Sequence, residues 1–325
     1  MAVRQGTDAA PAPARVNHRQ LRLEQHGRLA GLGWAGLGWA GLSVLIFSGW
    51  FVVTRFSVTR QLTVWDVTVL RFGIGAVLLA PVLLRGRTRL PAAAWREGLL
   101  FMLLWGAPFV LLIAFGLQRT SAAKAATVAP TLMPVCAGVL GALILRERQG
   151  PARWSGYSAI LAGLCGLVLA GSGDATPDPI GLAALAAAAA LWATYTLLFR
   201  GSALTPIQSA ALICIWSTVL LLPTYWFLGL GRLHLASTGE IALQAFYQGV
   251  LMGGVSIFAF NRAISSLGPA AASAVIALVP AMASALAIPI LGEVPSLPEA
   301  VATAVIVAGV LLASRPSPTP ERGVP

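Results

Sequence analysis

Ten long apolar segments constrain the fold of this chain more than any other feature of its sequence. They lie at residues 32–54, 65–84, 97–118, 121–145, 154–172, 180–199, 207–229, 241–261, 269–291 and 297–314. A helix needs about 20 apolar residues to cross the hydrocarbon core of a bilayer. Because lipid offers the backbone no hydrogen-bond partners, continuously apolar segments predict helices, whereas a membrane barrel needs alternating strands. We therefore predict an all-α membrane protein with ten transmembrane helices.

The composition excludes a soluble protein and a nucleic-acid-binding protein. Hydrophobic residues make up 57% of the chain and charged residues 10%, whereas a soluble domain carries roughly 25% charged residues. The net charge of +11 comes from basic residues scattered between the apolar segments. Such scattered charges are typical of membrane topology, because anionic lipid attracts them to one side. We predict the lipid bilayer as a partner and no nucleic acid.

The basic residues also predict the orientation of the chain. With the N-terminus in the cytoplasm, 16 of the 22 Lys and Arg residues fall in cytoplasmic segments and 4 in external ones. Arg71 and Lys124 lie within the apolar segments. Since cytoplasmic loops carry the excess of positive charge, we predict both termini in the cytoplasm and a bacterial inner membrane. Residues 1–30 and 315–325 are predicted to be disordered cytoplasmic tails.

The chain contains an internal duplication. At an offset of 146 residues, Pro134 aligns with Pro280 and Glu147 with Glu293, and nine of the 28 positions from Thr120 to Glu147 are identical. At an offset of 142, Trp50 aligns with Trp192. We predict two repeats of five helices, at residues 31–173 and 178–314. An odd number of spans inverts the second repeat, and inverted repeats are characteristic of secondary transporters.

Several stretches of both repeats resemble one transporter family. In the first repeat they are SGWFVVTRFSV, LRFGIGAVLLAPVLL, GLQRTSAAKAATVAPTLMPVCAGVLGALILRER and GYSAILAGLCGLVLAG. In the second they are RAISSLGPAAASAVIALVPAMASALAIPILGEVPS and AVIVAGVLL. The fourth helix of each repeat starts with small residues, contains proline and is followed by glutamate. With these motifs the chain resembles the EamA-type transporters of the drug/metabolite transporter superfamily. The resemblance implies a basket of helices around a central cavity and transport of small metabolites, often outward. Lys124 departs from the family's usual small or apolar residue.

Two cations within the apolar segments are the first candidates for substrate binding. Arg71 and Lys124 each lie within about 10 Å of the predicted outer end of their helix, at about 1.5 Å per residue. Thr127 follows Lys124 on the same helical face. A cation above a cavity favours an anionic group such as a carboxylate. The alternative is that both side chains extend to the outer interface.

Aromatic and amide side chains at central depth are the second set of candidates. They are Trp50, Thr54, Trp105, Trp192, Tyr195, Tyr247 and Gln248. As repeat equivalents, Trp50 and Trp192 are expected to face each other across the pseudo-axis. Ordinary packing and the interfacial aromatic belt are the alternatives.

The prolines and glutamates of the repeated helix are assigned structural roles. Pro130, Pro134 and Pro280 are predicted to kink the fourth and ninth helices, because proline removes a backbone hydrogen bond. Glu147 and Glu293 follow the ends of these helices. No zinc site, disulfide set or ATP-binding GxxxxGK[ST] motif is found in the sequence, so we predict no cofactor, metal or ATP.

These features predict a secondary transporter of small molecules and not an enzyme. The substrates expected from Arg71, Lys124 and the tryptophans are amino acids or related carboxylates, exported by alternating access. An exporter of drugs or toxic compounds is the alternative, followed by a membrane scaffold or a lipid-handling protein. All eleven carboxylates lie in tails, loops or helix ends. Because proton relays generally use embedded acids or histidine, we hypothesise facilitated diffusion or exchange without carboxylate-based proton coupling.

Overall fold

The structure, a computed structural model, describes residues 18–84, 90–144, 146, 149–169, 178–199, 201–256, 259, 262–263, 266 and 278–313. In these ranges the chain is helical and forms no β-strand. The α-helices are α1 (His18–Val58), α2 (Val64–Leu84), α3 (Ala92–Trp105), α4 (Ala107–Arg119), α5 (Ala122–Ile144), α6 (Pro151–Leu169), α7 (Pro179–Phe199), α8 (Pro206–Phe227), α9 (Thr238–Gln244), α10 (Val279–Leu291) and α11 (Leu297–Ala313). A π-helix, Ala245–Val255, continues α9, and a 3₁₀ turn lies at Leu233–Leu235.

These helices group into ten membrane spans over the described residues, because α3 with α4, and α9 with the π-helix, each form one span. Six of the spans are long and apolar enough to cross a bilayer by length and composition, and α10 and α11 are shorter apolar helices. The predicted all-α fold of ten transmembrane helices is confirmed. Since each repeat contributes five spans, the second repeat crosses the membrane in the opposite sense to the first.

The packing of the helices is symmetric: exchanging the two repeats turns each helix pair into an equivalent pair. α2 packs against α8, and α6 against α11, so these helices contact their own repeat equivalents. α5 packs on α7 as α10 packs on α1, and α3 packs on α8 as the π-helix packs on α2. Matched pairs of this kind are expected from an in-plane pseudo-two-fold axis. The axis therefore runs between α2 and α8 and between α6 and α11.

Glycines allow the closest of these contacts. A Cβ atom added to Gly156 of α6 would lie 2.5 Å from the backbone nitrogen of Ala313 in α11. One added to Gly249 of the π-helix would lie 2.5 Å from Ile74 of α2. Small residues let helix backbones approach closely. Such close packing matters within a bilayer, because the hydrophobic effect does not drive helices together there. The backbones of these helix pairs are thus in near contact.

The third span is broken at Gly106, which the sequence analysis did not predict. Gly106 has φ −96° and ψ −136°, outside the helical region, and Pro108 lies in the first turn of α4. The backbone N–H of Ala107 donates to Ser217 Oγ at 3.1 Å. A break at membrane depth is tolerated when protein partners satisfy the freed backbone groups. Trp105 is consequently the last residue of α3 and lies directly at the break.

Part of the predicted N-terminal tail is helical. α1 begins at His18, within residues 1–30, for which the sequence predicts disorder. Residues 20–25 read QLRLEQ, which are good helix formers, and a helix propagates easily once its span is formed. Residues 1–17, 174–177 and 314–325 lie outside the described residues, as does Glu147.

Candidate functional site

An aromatic cavity lies at the centre of the bundle. It is lined by Phe47, Trp50, Phe51, Arg71, Trp105, Phe109, Pro130, Trp192, Met252 and Val279. These residues come from α1, α2, the broken third span, α5, α7, the π-helix and α10, so both repeats contribute. Its open volume is about 50 Å³, which is enough for water but less than the roughly 300 Å³ of a typical ligand pocket. The aromatic cavity is therefore compact in this state.

Stacked rings form the wall of the aromatic cavity. Phe109 lies between the repeat equivalents Trp50 and Trp192, with ring centroids 6.3 Å and 5.9 Å away. Trp105, at the helix break, stacks on Trp192 at 6.4 Å and on Tyr195 at 4.8 Å. Offset stacked and tilted pairs are the favoured geometries of aromatic side chains. The wall thus presents flat apolar surfaces suited to a planar or apolar ligand body.

Arg71 is the charged group of this cavity. The residue is 9% exposed, and its guanidinium carbon lies 4.8 Å from the centre of the Trp50 ring. Its Nη1 atom is buried and has no hydrogen-bond partner among the described residues, and the same holds for Trp105 Nε1. A buried donor without a partner costs about 1–3 kcal/mol. The aromatic cavity therefore offers two unused N–H donors, one of them cationic, to an acceptor such as a carboxylate.

A hydrogen-bond network between α1 and the π-helix holds Trp50 in place. Trp50 Nε1 donates to Gln248 Oε1 at 2.9 Å, and Gln248 Nε2 donates to Thr54 Oγ1 at 2.8 Å. Gln248 Nε2 also donates to Gln244 Oε1 at 3.1 Å. The hydroxyl of Tyr247 donates to the carbonyl of Ile46 at 3.0 Å. Gln248 and Tyr247 thus bind α1, where Thr54 accepts from Gln248, and Gln248 holds the indole of Trp50. None of the three lines the aromatic cavity.

A second, polar cavity of about 230 Å³ lies between α5, α10 and α11. It is lined by Ser121, Ala123, Lys124, Thr127, Leu167, Ser284, Glu293, Val294, Pro295, Glu299 and Thr303. Lys124 Nζ lies 2.8 Å from Glu299 Oε1, and their side chains are 11% and 17% exposed. The two residues belong to different repeats. Lys124 therefore faces a carboxylate of the other repeat.

Glu293 links the two repeats at the same end of the bundle. Its Oε1 accepts from Arg55 Nε at 3.2 Å, and its Oε2 accepts from the backbone N–H of Ala122, at the start of α5, at 2.8 Å. Arg55 Nη1 also donates to the carbonyl of Leu117 at 2.5 Å. We call this region, where α1, α4 and α10 end and α5 and α11 begin, the Glu293 end. Its contacts connect the two repeats.

The duplication does not repeat these ion pairs at the other end of the bundle. At the offset of 142 residues Arg55 corresponds to Leu197, and at 146 residues Lys124 corresponds to Ala270. Neither of these equivalents is charged. The cations of these two ion pairs, Arg55 and Lys124, therefore have no charged equivalent in the duplication.

The structure brings most of the sequence-predicted residues to one of the two cavities. Those that line the aromatic cavity are Trp50, Arg71, Trp105, Pro130 and Trp192. Those that line the polar cavity are Lys124, Thr127 and Glu293. The other predicted residues that the structure describes line neither cavity. Tyr195 packs behind Trp105, with its hydroxyl 3.2 Å from Ser209 Oγ.

Two of the predicted kink positions differ in their surroundings. Pro134 lies inside α5 with Pro130, as predicted. Pro280 lies in the first turn of α10, because the described part of this helix begins at Val279. Glu147 lies outside the described residues.

Sequence reasoning missed the partners of the charged residues. Glu299 lies in the first turn of α11, as expected of a helix end, but its contact with Lys124 was not foreseen. Arg55 was counted as a topology charge, yet it binds Glu293. A lone cation at membrane depth is energetically unfavourable, so the sequence does indicate that a neighbouring helix supplies a counter-ion. The sequence does not state which helix that is.

Comparisons with known proteins agree with this architecture. The family model of the EamA-like transporter family matches residues 34–169 and 179–315. The "Uncharacterized transporter YwfM" of Bacillus subtilis (strain 168) is 26% identical over 263 residues, which cover 77% of this chain and 85% of that protein. A solved structure described only as the crystal structure of a protein has a TM-score of 0.60 at 22% identity, covering 86% of this chain and 96% of its own. At that identity it shows the fold alone.

Proposed function

The chain belongs to the EamA-like transporter family and is an integral membrane transporter of small molecules, and on this premise we propose that it carries small organic carboxylates, amino acids among them. The aromatic cavity would be the transport site, since side chains of both repeats line it. In this proposal Arg71 binds the carboxylate, and the stacked rings contact the apolar part of the substrate.

One observation carries the proposal, namely the unpartnered Nη1 of the Arg71 guanidinium. Its buried Nη1 lacks a partner among the described residues, beside the unpaired Nε1 of Trp105. A carboxylate accepts two hydrogen bonds from a guanidinium in a fixed geometry, which a neutral acceptor does not match. The described residues that line the cavity include no acid that would neutralise Arg71. A substrate carboxylate would supply the missing charge.

The positive charge of Arg71 disfavours the export of cationic drugs. A cationic compound in the aromatic cavity would meet Arg71 in a region of low dielectric, where like charges repel strongly. The rings alone would suit a cation, because tryptophan faces attract positive charge. Arg71 already occupies the face of Trp50, at 4.8 Å. We therefore place drug efflux second to carboxylate transport.

Alternating access would follow from the two repeats. We propose that they rock about their pseudo-axis and open the aromatic cavity to one side at a time. The distribution of arginine and lysine supports an inner-membrane orientation with cytoplasmic termini. In that orientation the Glu293 end would face outward, and we propose that the ion pairs Arg55–Glu293 and Lys124–Glu299 keep it closed. Export would require these contacts to break when the substrate is loaded.

Counterflow in proteoliposomes tests the proposed substrate class. The probes are phenylacetate, L-phenylalanine and phenethylamine, which share one aromatic body and differ in charge. We expect the unlabelled anion and zwitterion to drive uptake of their labelled forms, with no dependence on a pH gradient. Phenethylamine is expected to exchange no faster than in empty liposomes. Preferred exchange of phenethylamine would instead favour drug efflux, and uphill movement driven by the pH gradient would contradict exchange.

A further inference from the structure

The polar cavity at the Glu293 end shares no lining residue with the aromatic cavity among the described residues. Its volume of about 230 Å³ exceeds that of the aromatic cavity. A volume of this size holds several water molecules, at about 30 Å³ each. Unlike the aromatic cavity, it contains charges of both signs. It therefore has the room and the chemistry for a small polar ligand of its own.

The Lys124–Glu299 ion pair shows which charges such a ligand needs. The two groups come from α5 and α11 and meet at 2.8 Å inside the cavity. Glu299 uses its other oxygen to accept from the backbone N–H of Ser296 at 2.8 Å, so its orientation is fixed. The lysine ammonium has three donors on a flexible stem, and one suffices for the ion pair. Lys124 is thus the partner that can move aside for a ligand.

The hydroxyls around the pair are available as acceptors. Thr127 Oγ1 donates to the carbonyl of Ala123 at 2.7 Å, and Ser284 Oγ donates to that of Pro280 at 3.0 Å. Thr303 Oγ1 likewise donates to the carbonyl of Glu299 at 2.9 Å. Each hydroxyl has one proton and two lone pairs. With their protons used by the helix backbone, these oxygens accept hydrogen bonds and suit a ligand ammonium.

A ligand with a single charge fits the polar cavity poorly. An anion on Lys124 would leave Glu299 unpaired, and a cation on Glu299 would leave Lys124 unpaired. An uncompensated charge away from water is strongly unfavourable. Glu293 does not compensate, because its charge is already balanced by Arg55. A ligand that carries an ammonium and a carboxylate leaves neither residue unpaired.

We infer that the polar cavity is a second binding site, which takes a small zwitterion. The ligand ammonium binds Glu299 and the acceptor hydroxyls, and the ligand carboxylate binds Lys124. Binding separates Lys124 from Glu299 and so removes one contact between the repeats at the Glu293 end. This site does not depend on the transport of carboxylates through the aromatic cavity.

Binding of radiolabelled glycine to the full-length protein in nanodiscs tests the site. Glycine is a small zwitterion, and acetate and methylammonium are its two charged halves. We expect saturable glycine binding, with acetate and methylammonium displacing the label at least about tenfold less well than unlabelled glycine. Lys124→Met and Glu299→Gln are each expected to weaken binding by about tenfold or more. Absence of saturable binding, or equal displacement by acetate, would overturn the inference.

Two further variants separate this site from folding and from the aromatic cavity. The double variant Lys124→Glu with Glu299→Lys keeps an ion pair of reversed polarity, and a zwitterion can bind it by turning around. We expect this variant to bind glycine more tightly than either single variant. Arg71→Gln alters the aromatic cavity alone, so it is expected to keep the component of glycine binding that Lys124→Met removes. If Arg71→Gln lost all glycine binding while Lys124→Met bound glycine normally, the ligand would belong to the aromatic cavity. That result would refute the second site.

Discussion

Replacing Arg71 by methionine is expected to lower phenylacetate counterflow by about 100-fold and to raise the midpoint of thermal unfolding. The loss corresponds to about 3 kcal/mol, the upper range for hydrogen bonds to a charged group. The gain in stability has a separate cause. In the absence of ligand the guanidinium is buried with an unused donor, and a buried charge is commonly less stable than an apolar side chain of similar volume. The contact with Trp50 that is lost is worth less than this desolvation.

The matched control for this variant is Arg60→Met. Arg60 also lies over an aromatic ring, with its guanidinium carbon 3.8 Å from the centre of Phe56, but it is exposed. We expect Arg60→Met to leave counterflow within about twofold, because an exposed charge contributes little. Counterflow and the unfolding midpoint are measured on the same preparations. Unchanged counterflow in Arg71→Met would remove Arg71 from the transport site.

Replacing Glu293 by alanine is expected to open the Glu293 end. The variant loses the ion pair with Arg55 and the contact with the first backbone N–H of α5. A helix-terminal contact and a partly buried ion pair together contribute roughly 1.5–3 kcal/mol, or about ten- to a hundredfold in the ratio of closed to open forms. In a variant without other cysteines, Thr127→Cys reports this opening, because Thr127 is 1% exposed. Its reaction with a membrane-impermeant thiol reagent should accelerate by at least about tenfold in whole cells.

Asp178→Asn is the control for this measurement. Asp178 forms an ion pair with Arg119 at 2.5 Å that also connects the two repeats, but the side chains are 28% and 41% exposed. The hydrogen bond from Arg119 holds the pKa of Asp178 below its usual range. Solvent screens exposed pairs, so their removal has little effect. We expect the reaction of Thr127→Cys to stay unchanged in Asp178→Asn. Equal acceleration in both variants, or none in Glu293→Ala, would contradict a closure made by Glu293.

The sequence predicted the features of the fold that depend on local composition. The ten apolar segments, the duplication and the alignment of Trp50 with Trp192 within it follow from residue type and spacing alone, whereas the position of Phe109 between the two tryptophans does not. The helix break at Gly106 did not, because it depends on Ser217 of another span accepting the freed N–H of Ala107. The helical start at His18 was missed because polarity was taken to indicate disorder in a segment of good helix formers.

The candidate site was predictable in its residue types but not in its division into two cavities. Arg71 and Lys124 were both recognised as membrane-embedded cations. Their different surroundings depend on tertiary contacts, since Glu299 approaches Lys124 while Arg71 meets the ring of Trp50. Gln248 and Thr54 were predicted to contact substrate; in the structure they bind each other, and Gln248 holds Trp50. An amide side chain at central depth can serve either role, and spacing does not distinguish them.

The central claim is that substrate in the aromatic cavity changes which end of the bundle is open. Pulsed electron–electron double resonance between spin labels at Thr59, after α1, and Ala300, in α11, measures the width of the Glu293 end directly. Both positions can carry a label because both are exposed. We predict two distance populations, with the shorter one dominant without ligand. Phenylacetate should enrich the longer one in the unmodified protein and leave Arg71→Met unchanged. A single distance that does not respond to phenylacetate would contradict the account.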